Sequence, residues 1–311
     1  MALKQVLEAF DVMDGSDVSG DDIIALLKEN HVHEIEKEVV AGPRGKTDFL
    51  RILVPGRSGK SGGGNAPTLG IIGRLGGIGA RPEQTGFVSD GDGALAAIAA
   101  AMKLGRMGKR GDTLPGDVVI TTHICPDAPT RPHEPVPFMD SPVAHVQALA
   151  AEKDARMEAI LSVDTTKGNR VINHKGFAIS PTVKEGYILR VSEDLLGIMQ
   201  TSTGHLPAVL PITTQDITPY GNGIHHLNSI MQPSVATKAP TVGVAITTES
   251  AVPGCATGAS HMPDIAMTVR FLIEVAKAFT SGRCSLYDEK EFALLQAKYG
   301  SMAHLQTGGK S

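Results

Sequence analysis

Hydrophobic residues recur along the chain with two spacings, one typical of α-helices and one typical of β-strands. Segments of these two kinds alternate. Apolar residues at helical spacing over 3–10 and 21–29 predict a helical lead-in. Short apolar runs predict core strands at 47–54, 68–75, 117–122, 159–163, 208–212 and 241–247. Helical spacing predicts further helices after Asp92, at 142–153, at 192–199 and at 288–299, and one that ends at Phe279. This alternation predicts an α/β fold with three αβα layers and a mixed central sheet.

The same pattern divides the chain into three parts. Residues 1–40 form the helical lead-in, residues 41–285 the α/β core, and residues 286–311 a C-terminal helix with a disordered tail. Alternating apolar and polar positions over 170–191 predict antiparallel strands at the edge of the sheet.

The composition and charge of the chain disfavour some classes of binding partner. A net charge of −4 and a pI near 6.3 give no general attraction to nucleic acid or to an anionic membrane. Apolar segments are broken before membrane-spanning length, and no cleavable signal begins the chain, so a cytoplasmic protein is expected. Three irregularly spaced cysteines disfavour a disulfide framework or a structural zinc site. We expect a small-molecule substrate and a homo-oligomer, with no nucleic acid and no membrane as partner.

Two polar clusters follow neighbouring predicted elements. Asp90 and Asp92 precede an alanine-rich helix, where free backbone N–H groups favour carboxylates. Helix capping alone accounts for one of these two carboxylates. Glycines on both sides of Asp92 indicate a bent backbone that orients the aspartate side chains rather than merely starting a helix. His123 and Cys125 lie two residues apart at the exit of a buried strand, and therefore on one face if the strand continues.

Other candidate residues follow the remaining strands. Arg74 lies at the end of the predicted strand 68–75, where it could bind a substrate carboxylate or simply lie on the surface. Asp164 follows a short core strand, at the edge where open α/β sheets bind ligands, although a turn-forming role is equally open. Glu249 follows the last strand. His225 and His226 are adjacent, and on a helix at most one would face a site.

Asp90-Gly-Asp-Gly-Ala-Leu-Ala-Ala, followed by Leu-Pro-Gly-Asp-Val-Val-Ile-Thr-Thr, resembles the helix start and next strand of co-catalytic zinc exopeptidases of the aminoacylase and glutamyl-aminopeptidase type. The resemblance implies metal ligands at Asp90, Asp92 and Asp164. It also implies a ligand at His261, which precedes the final packing helix, although a helix-start role is open.

This chain departs from the exopeptidase pattern at two places. Arg74-Leu-Gly replaces the His-x-Asp pair, and His123-Ile-Cys125 replaces the glutamate pair, so the two-metal mechanism does not transfer. The whole chain also resembles an uncharacterised bacterial family of unknown function, which implies no substrate.

Three hypotheses follow from these residues. The first is a metal-dependent hydrolase acting on an amide or C–N bond of a small amino-acid-like compound, with a divalent ion that is zinc, manganese or cobalt. In it, His123 is a further ligand or base, Glu249 is catalytic, and His225 or His226 contacts substrate. The second uses Cys125 as a nucleophile, activated by His123 or His226, without metal. The third is a non-catalytic protein that binds a metabolite or assembles with others, with Arg74 holding a carboxylate.

Overall fold

A computed structural model describes residues 2–74, 80–81, 86–132, 138–251 and 259–310. It has the predicted α/β architecture, in which helices cover both faces of a mixed sheet. Cys255 lies outside the described residues.

Strands of the described residues form one large sheet and one small one. Nine belong to the large sheet, in the order β1-β2-β5-β3-β8-β12-β10-β11, with β9 also paired to β12. Its strands are β1 (Glu34–Gly42), β2 (Gly45–Val54), β3 (Leu69–Gly73), β5 (Val118–Ile124), β8 (Ala159–Thr165), β9 (Gly176–Ile179), β10 (Val183–Lys184), β11 (Tyr187–Ile188) and β12 (Thr241–Thr247). The small sheet contains β4 (Ala80–Arg81), β6 (Ala128–Arg131) and β7 (Phe138–Met139).

The centre of the large sheet is parallel, and its register aligns the strand exits. Gly73 at the end of β3 pairs with Thr122 of β5 on one side and with Val163 of β8 on the other. The residue after each of these is polar, namely Arg74, His123 and Asp164. Because side chains alternate between the two faces of a strand, these three emerge side by side on one face.

Helices on the opposite face of the sheet build the main core. They are α1 (Leu3–Met13), α2 (Gly20–Glu29), α3 (Asp92–Lys109), α5 (Glu193–Thr203) and α6 (Met262–Thr280). The buried alanines of α3 pack between the sheet and α6, which allows the helix to lie close to the strands. At Gly93 a Cβ would come within 2.4 Å of the Val163 carbonyl oxygen, so glycine is required for this close approach.

The face that carries the polar strand exits has a thinner cover. It consists of α4 (His145–Glu152) and a 3₁₀ segment, Ser229–Ala236, with smaller apolar clusters beneath them. Helix α7 (Glu289–Tyr299) packs Phe292 edge-on against Tyr187 of the short strand β11. A gap between these elements and the strand ends leaves room for a cavity.

The structure contains strands that the sequence did not predict, including those of the small sheet, and lacks one that the sequence did predict. The sequence did not predict β1, because this edge strand is mostly exposed and four of its first five residues are charged. The predicted strand at 208–212 is absent from the described elements, where Val209 forms only an isolated bridge with Ile179.

The predicted division into three parts stays a prediction. Side chains of α1 and α2 pack into the same core as the sheet. In the described part of the chain, no helix combines the length and the apolar character needed to cross a membrane.

Candidate active site

A cavity of about 510 Å³ lies at the carboxyl ends of the central parallel strands. Arg74, His123 and Asp164 line it from β3, β5 and β8, and Asp90 lines it from the turn before α3. Sequence reasoning predicted that these side chains would converge, and the structure brings them together. Open α/β sheets bind ligands at this edge, which makes the cavity the candidate site.

Asp90 faces the cavity from the 3₁₀ turn Ser89–Gly91. Burial raises the pKa of its carboxyl to about 7, and the neighbouring carboxylates of Asp164 and Asp92 act in the same direction. Among the described residues, none donates a hydrogen bond to this carboxylate. The Lys167 and Arg74 charges lower this pKa without outweighing burial, so the charge of Asp90 is compensated poorly.

Asp164 is buried at the end of β8 and belongs to the same acidic pair. Burial raises the pKa of its carboxyl, whereas Arg74 and two hydrogen bonds oppose the shift. Those bonds come from the Thr165 backbone N–H at 2.8 Å and from the Ser229 hydroxyl at 3.1 Å. Ser229 thus links the strand end to the outer wall of the cavity.

Arg74 and His123 share a buried partner that the sequence did not reveal, Glu152 at the end of α4. The Arg74 guanidinium donates to Glu152 Oε2 at 2.6 Å, and His123 Nε2 lies 4.0 Å from Glu152 Oε1. Burial alone would lower the pKa of Arg74, but the charges of Glu152 and Asp164 raise it, so the guanidinium stays charged. On its other side, His123 Nδ1 lies 3.0 Å from the Thr47 hydroxyl, and its ring stacks on Phe49.

His145 and Tyr220 form the wall opposite the strand ends and were also not found from the sequence. Their rings lie 4.6 Å apart. Burial, with the charge of Arg74, lowers the pKa of His145 to about 4, so this imidazole is neutral at neutral pH. Burial raises the pKa of Tyr220 to about 12, which keeps its hydroxyl protonated. An irregular loop carries Tyr220, and no periodic pattern marks such a residue.

Asp216 anchors the loop that carries Tyr220. Its buried carboxylate accepts hydrogen bonds from the backbone N–H groups of Thr213, Leu227 and Asn228, at 2.9, 2.7 and 2.9 Å. Burial opposes ionisation of Asp216, but these bonds prevail and lower its pKa. The two ends of segment 213–228 are therefore tied to one charged group.

Asp92 and His261 lie outside this cavity. The fully buried Asp92 carboxylate accepts from Lys167 Nζ at 3.1 Å and from the Ser260 hydroxyl. His261 is an exposed residue at the N-cap position of α6 and interacts electrostatically with Asp92. The side chains of Asp90 and Asp92 therefore lie in different surroundings. The metal ligands predicted from the sequence do not meet at one site.

Cys125 is buried in an apolar cluster with Val88, Ala128 and Met139, outside the cavity lining. Burial raises the pKa of its thiol to about 12. Both properties are the opposite of those that activate a cysteine nucleophile. The polypeptide leaves β5 at Ile124, which separates Cys125 from the face of His123.

Glu249 and His225 are exposed and do not line the cavity. His226 packs edge-on against Tyr220, with its Nε2 3.0 Å from the Thr218 carbonyl oxygen. The histidine pair lies in a loop rather than on the helix that sequence reasoning considered. His226 supports the cavity wall without lining the cavity, and its predicted substrate contact stays a prediction.

A larger depression, of about 920 Å³, lies on the opposite face, between α5 and α6. Charged surface residues such as Arg270 and Glu274 border it, and it is remote from the strand ends. The smaller cavity is the better candidate site because buried acidic and imidazole groups meet there.

The chain belongs to the family described as Protein of unknown function (DUF1177), whose model matches residues 38–309. Membership of a family of unknown function is thus confirmed. A comparison with curated proteins found no match.

Two solved structures resemble the fold. The bottromycin maturation enzyme BotP in complex with Mn has a TM-score of 0.55 and 14% identity, over 90% of this chain and 71% of that one. A second BotP structure has a TM-score of 0.53 and 15% identity, over 91% and 70% of the two chains. At such identity the similarity concerns the fold alone, and these matches do not confirm the resemblance to zinc exopeptidases.

Proposed function

We propose that this protein is a metal-dependent hydrolase that cleaves an amide or C–N bond of a small amino-acid-like compound in the strand-end cavity. One observation carries the proposal: the poorly compensated carboxylate of Asp90 and the neighbouring carboxylate of Asp164 face a cavity that also holds a neutral imidazole, His145. Fold similarity to a BotP structure that contains Mn agrees with a divalent ion but does not establish one.

The chemistry of these donors fits a divalent metal. The Asp164 charge raises the pKa of the neighbouring Asp90 carboxyl, so a cation between the two carboxylates would relieve their repulsion. The positions of the potential ligands fit a metal site less completely than their chemistry does. In residues 2–74, 80–81, 86–132, 138–251 and 259–310, no three His, Cys, Asp or Glu side chains are grouped closely enough to hold an ion.

Asp90 and Asp164 are accordingly the residues that would hold the metal, with water or substrate completing its coordination. A carboxylate-rich set of this kind suits manganese or magnesium better than zinc. The bound ion would polarise the scissile carbonyl and acidify a water molecule.

Several side chains of the protein bind and orient the substrate in this scheme. Arg74, held in place by Glu152, presents its charge to a substrate carboxylate. The protonated Tyr220 hydroxyl can donate a hydrogen bond to the substrate from the opposite wall. The thiol of Cys125 has no role in this scheme.

Metal analysis of protein purified without a histidine tag tests the proposal. We expect close to one Mn²⁺ per chain after loading, and Asp164→Asn should weaken binding at least about a hundredfold, because changes around ligands alone cost about 10–100-fold. Asp140→Asn is the matched control, since this carboxylate lines the same cavity but is ion-paired to Arg44. Sub-stoichiometric metal, together with no hydrolysis of amino-acid amides, acylated amino acids or dipeptides, would refute the proposal.

A non-catalytic metabolite-binding protein is the second candidate. It is favoured by the absence of a three-ligand group in the described ranges and by the lost exopeptidase motifs. A thermal-shift screen over the same compounds separates the two, because a binder is stabilised by a compound that it does not consume.

A further inference from the structure

His145 is placed to act in the cavity rather than to fill space. It is the first residue of α4, lines the cavity, and contacts the Tyr220 ring. Its Nε2 is buried and has no hydrogen-bond partner. Nδ1 is therefore the ring nitrogen that can face the cavity.

Gln232 lies behind His145, in the 3₁₀ segment Ser229–Ala236, and is completely buried. Its amide nitrogen donates to the carbonyl oxygens of Asp216 and Thr218, at 3.2 and 2.9 Å. Two carbonyl acceptors on the amide nitrogen fix the orientation of the amide group. The amide oxygen must point the other way.

That amide oxygen, Gln232 Oε1, is also buried without a hydrogen-bond partner. Gln232 and His145 interact through their side chains, and this interaction acts on the pKa of His145. One of these two buried groups can only accept and the other can donate, so a hydrogen bond between them would satisfy both. A bond to Oε1 requires a proton on Nε2.

We propose that Gln232 holds His145 as the Nε2–H tautomer, so that Nδ1 presents its lone pair to the cavity and acts as the general base of the proposed hydrolysis. In this step a water oxygen forms the new bond to the carbonyl carbon, and its proton passes to Nδ1. The C–N bond then breaks, and the same proton passes to the leaving nitrogen. The catalytic part of this inference rests on the proposed function, whereas the tautomer does not.

The surroundings of the two cavity histidines explain why His145 rather than His123 takes this role. His123 Nδ1 lies at hydrogen-bonding distance from Thr47, and its Nε2 faces the Glu152 carboxylate. His145 has a neutral amide behind it, and burial together with the Arg74 charge keeps its ring unprotonated at neutral pH, although the same charge lowers its basicity. Its lone pair is therefore available at neutral pH.

Nitrogen-15 NMR of protein labelled only at histidine tests the tautomer directly, in the full chain at pH 7. His145 signals are assigned by their loss in His145→Gln, whose amide can still donate to Gln232 but offers no basic nitrogen. We expect a protonated Nε2 and an unprotonated Nδ1. In Gln232→Met, which removes the acceptor, the two tautomers should mix. A protonated Nδ1 or a charged imidazole in the wild-type protein overturns the inference.

Turnover separates this inference from the proposed function. With any substrate that is hydrolysed, His145→Gln should lower kcat by about 10²–10⁴-fold with little change in KM. An Nε2–H tautomer without any hydrolysis would refute the proposed function and the catalytic role of His145 together. Hydrolysis that survives unchanged in His145→Gln would refute the catalytic role alone.

Discussion

Asp90 and Asp92 are two residues apart at the start of α3, yet they occupy opposite kinds of environment. Asp92 is fully buried and is paired with the Lys167 ammonium group and the Ser260 hydroxyl. Asp90 faces the cavity, where its nearest influences include two other carboxylates. The Asp92 carboxylate stabilises the junction between α3 and the segment before α6. The Asp90 carboxylate is kept in an unfavourable charged state, which a bound cation could relieve. Burial raises the pKa of both carboxyls, so the hydrogen bonds that Asp92 accepts from Lys167 and Ser260, rather than burial, distinguish it from the candidate functional residue Asp90.

The largest expected effect concerns the stabilising member of the pair. Asp92→Asn leaves the Lys167 ammonium group, of which 11% is exposed, without its charge partner. Breaking a buried pair in this way should lower the free energy of unfolding by about 3 kcal/mol. Urea denaturation measures the change. Asp21→Asn, which breaks the exposed pair with Lys37, is the control and should leave the midpoint unchanged.

A second prediction uses the pH dependence of stability to test the cavity wall. The pKa of His145 is lowered from 6.5 to about 4 in the folded protein. Between these values the unfolded chain binds a proton that the native protein does not, so this contribution is complete above pH 6.5 and is lost as the pH falls toward 4. The shift corresponds to at most about 3 kcal/mol.

Partial exposure of His145 reduces that expectation to about 2 kcal/mol. Denaturation between pH 7 and pH 4 should therefore show a steeper loss of stability for the wild-type protein than for His145→Gln, which has no titrating group. Arg74 and His226 are the other charged or titratable groups that act on His145, and both are unchanged in the variant. Parallel curves for the two proteins would contradict the buried, neutral imidazole.

The third prediction is that substitution of Asp90 raises the free energy of unfolding, whereas substitution of Asp92 lowers it. In the presence of a metal chelator, Asp90→Asn should raise the free energy of unfolding by about 1 kcal/mol, because it removes a buried charge that two neighbouring carboxylates repel. The same substitution should abolish metal binding. If Asp90→Asn instead destabilised the protein as Asp92→Asn does, the contrast between the two carboxylates would be false.

The smallest expected effect concerns Glu249, which sequence reasoning assigned to catalysis. Its side chain is exposed and lies outside the cavity lining. Glu249→Gln should therefore change the free energy of unfolding by less than about 0.5 kcal/mol. It should also change turnover of any substrate less than about twofold, whereas Asp164→Asn should remove turnover. Loss of turnover in Glu249→Gln would return Glu249 to the site.

The sequence predicted those parts of the fold and the site that follow from local pattern. Apolar runs that end in a polar residue placed Arg74, His123 and Asp164 at strand exits, and a parallel sheet aligns such exits. Glu152, His145 and Tyr220 reach the cavity from a helix and an irregular loop, so only tertiary packing brings them there. Which of two nearby carboxylates enters the cavity likewise depends on where α3 meets the sheet.

The anchoring of the cavity wall by Asp216 has a consequence for how this protein could be redesigned. The carboxylate ties Thr213 at one end of the loop to Leu227 and Asn228 at the other, while Tyr220 lies between these ties. Segments of equal length could therefore replace residues 219–225, provided that His226 is kept for its contact with the Thr218 carbonyl oxygen. Such a library would alter ligand preference through one short segment and leave the acidic pair of the cavity untouched.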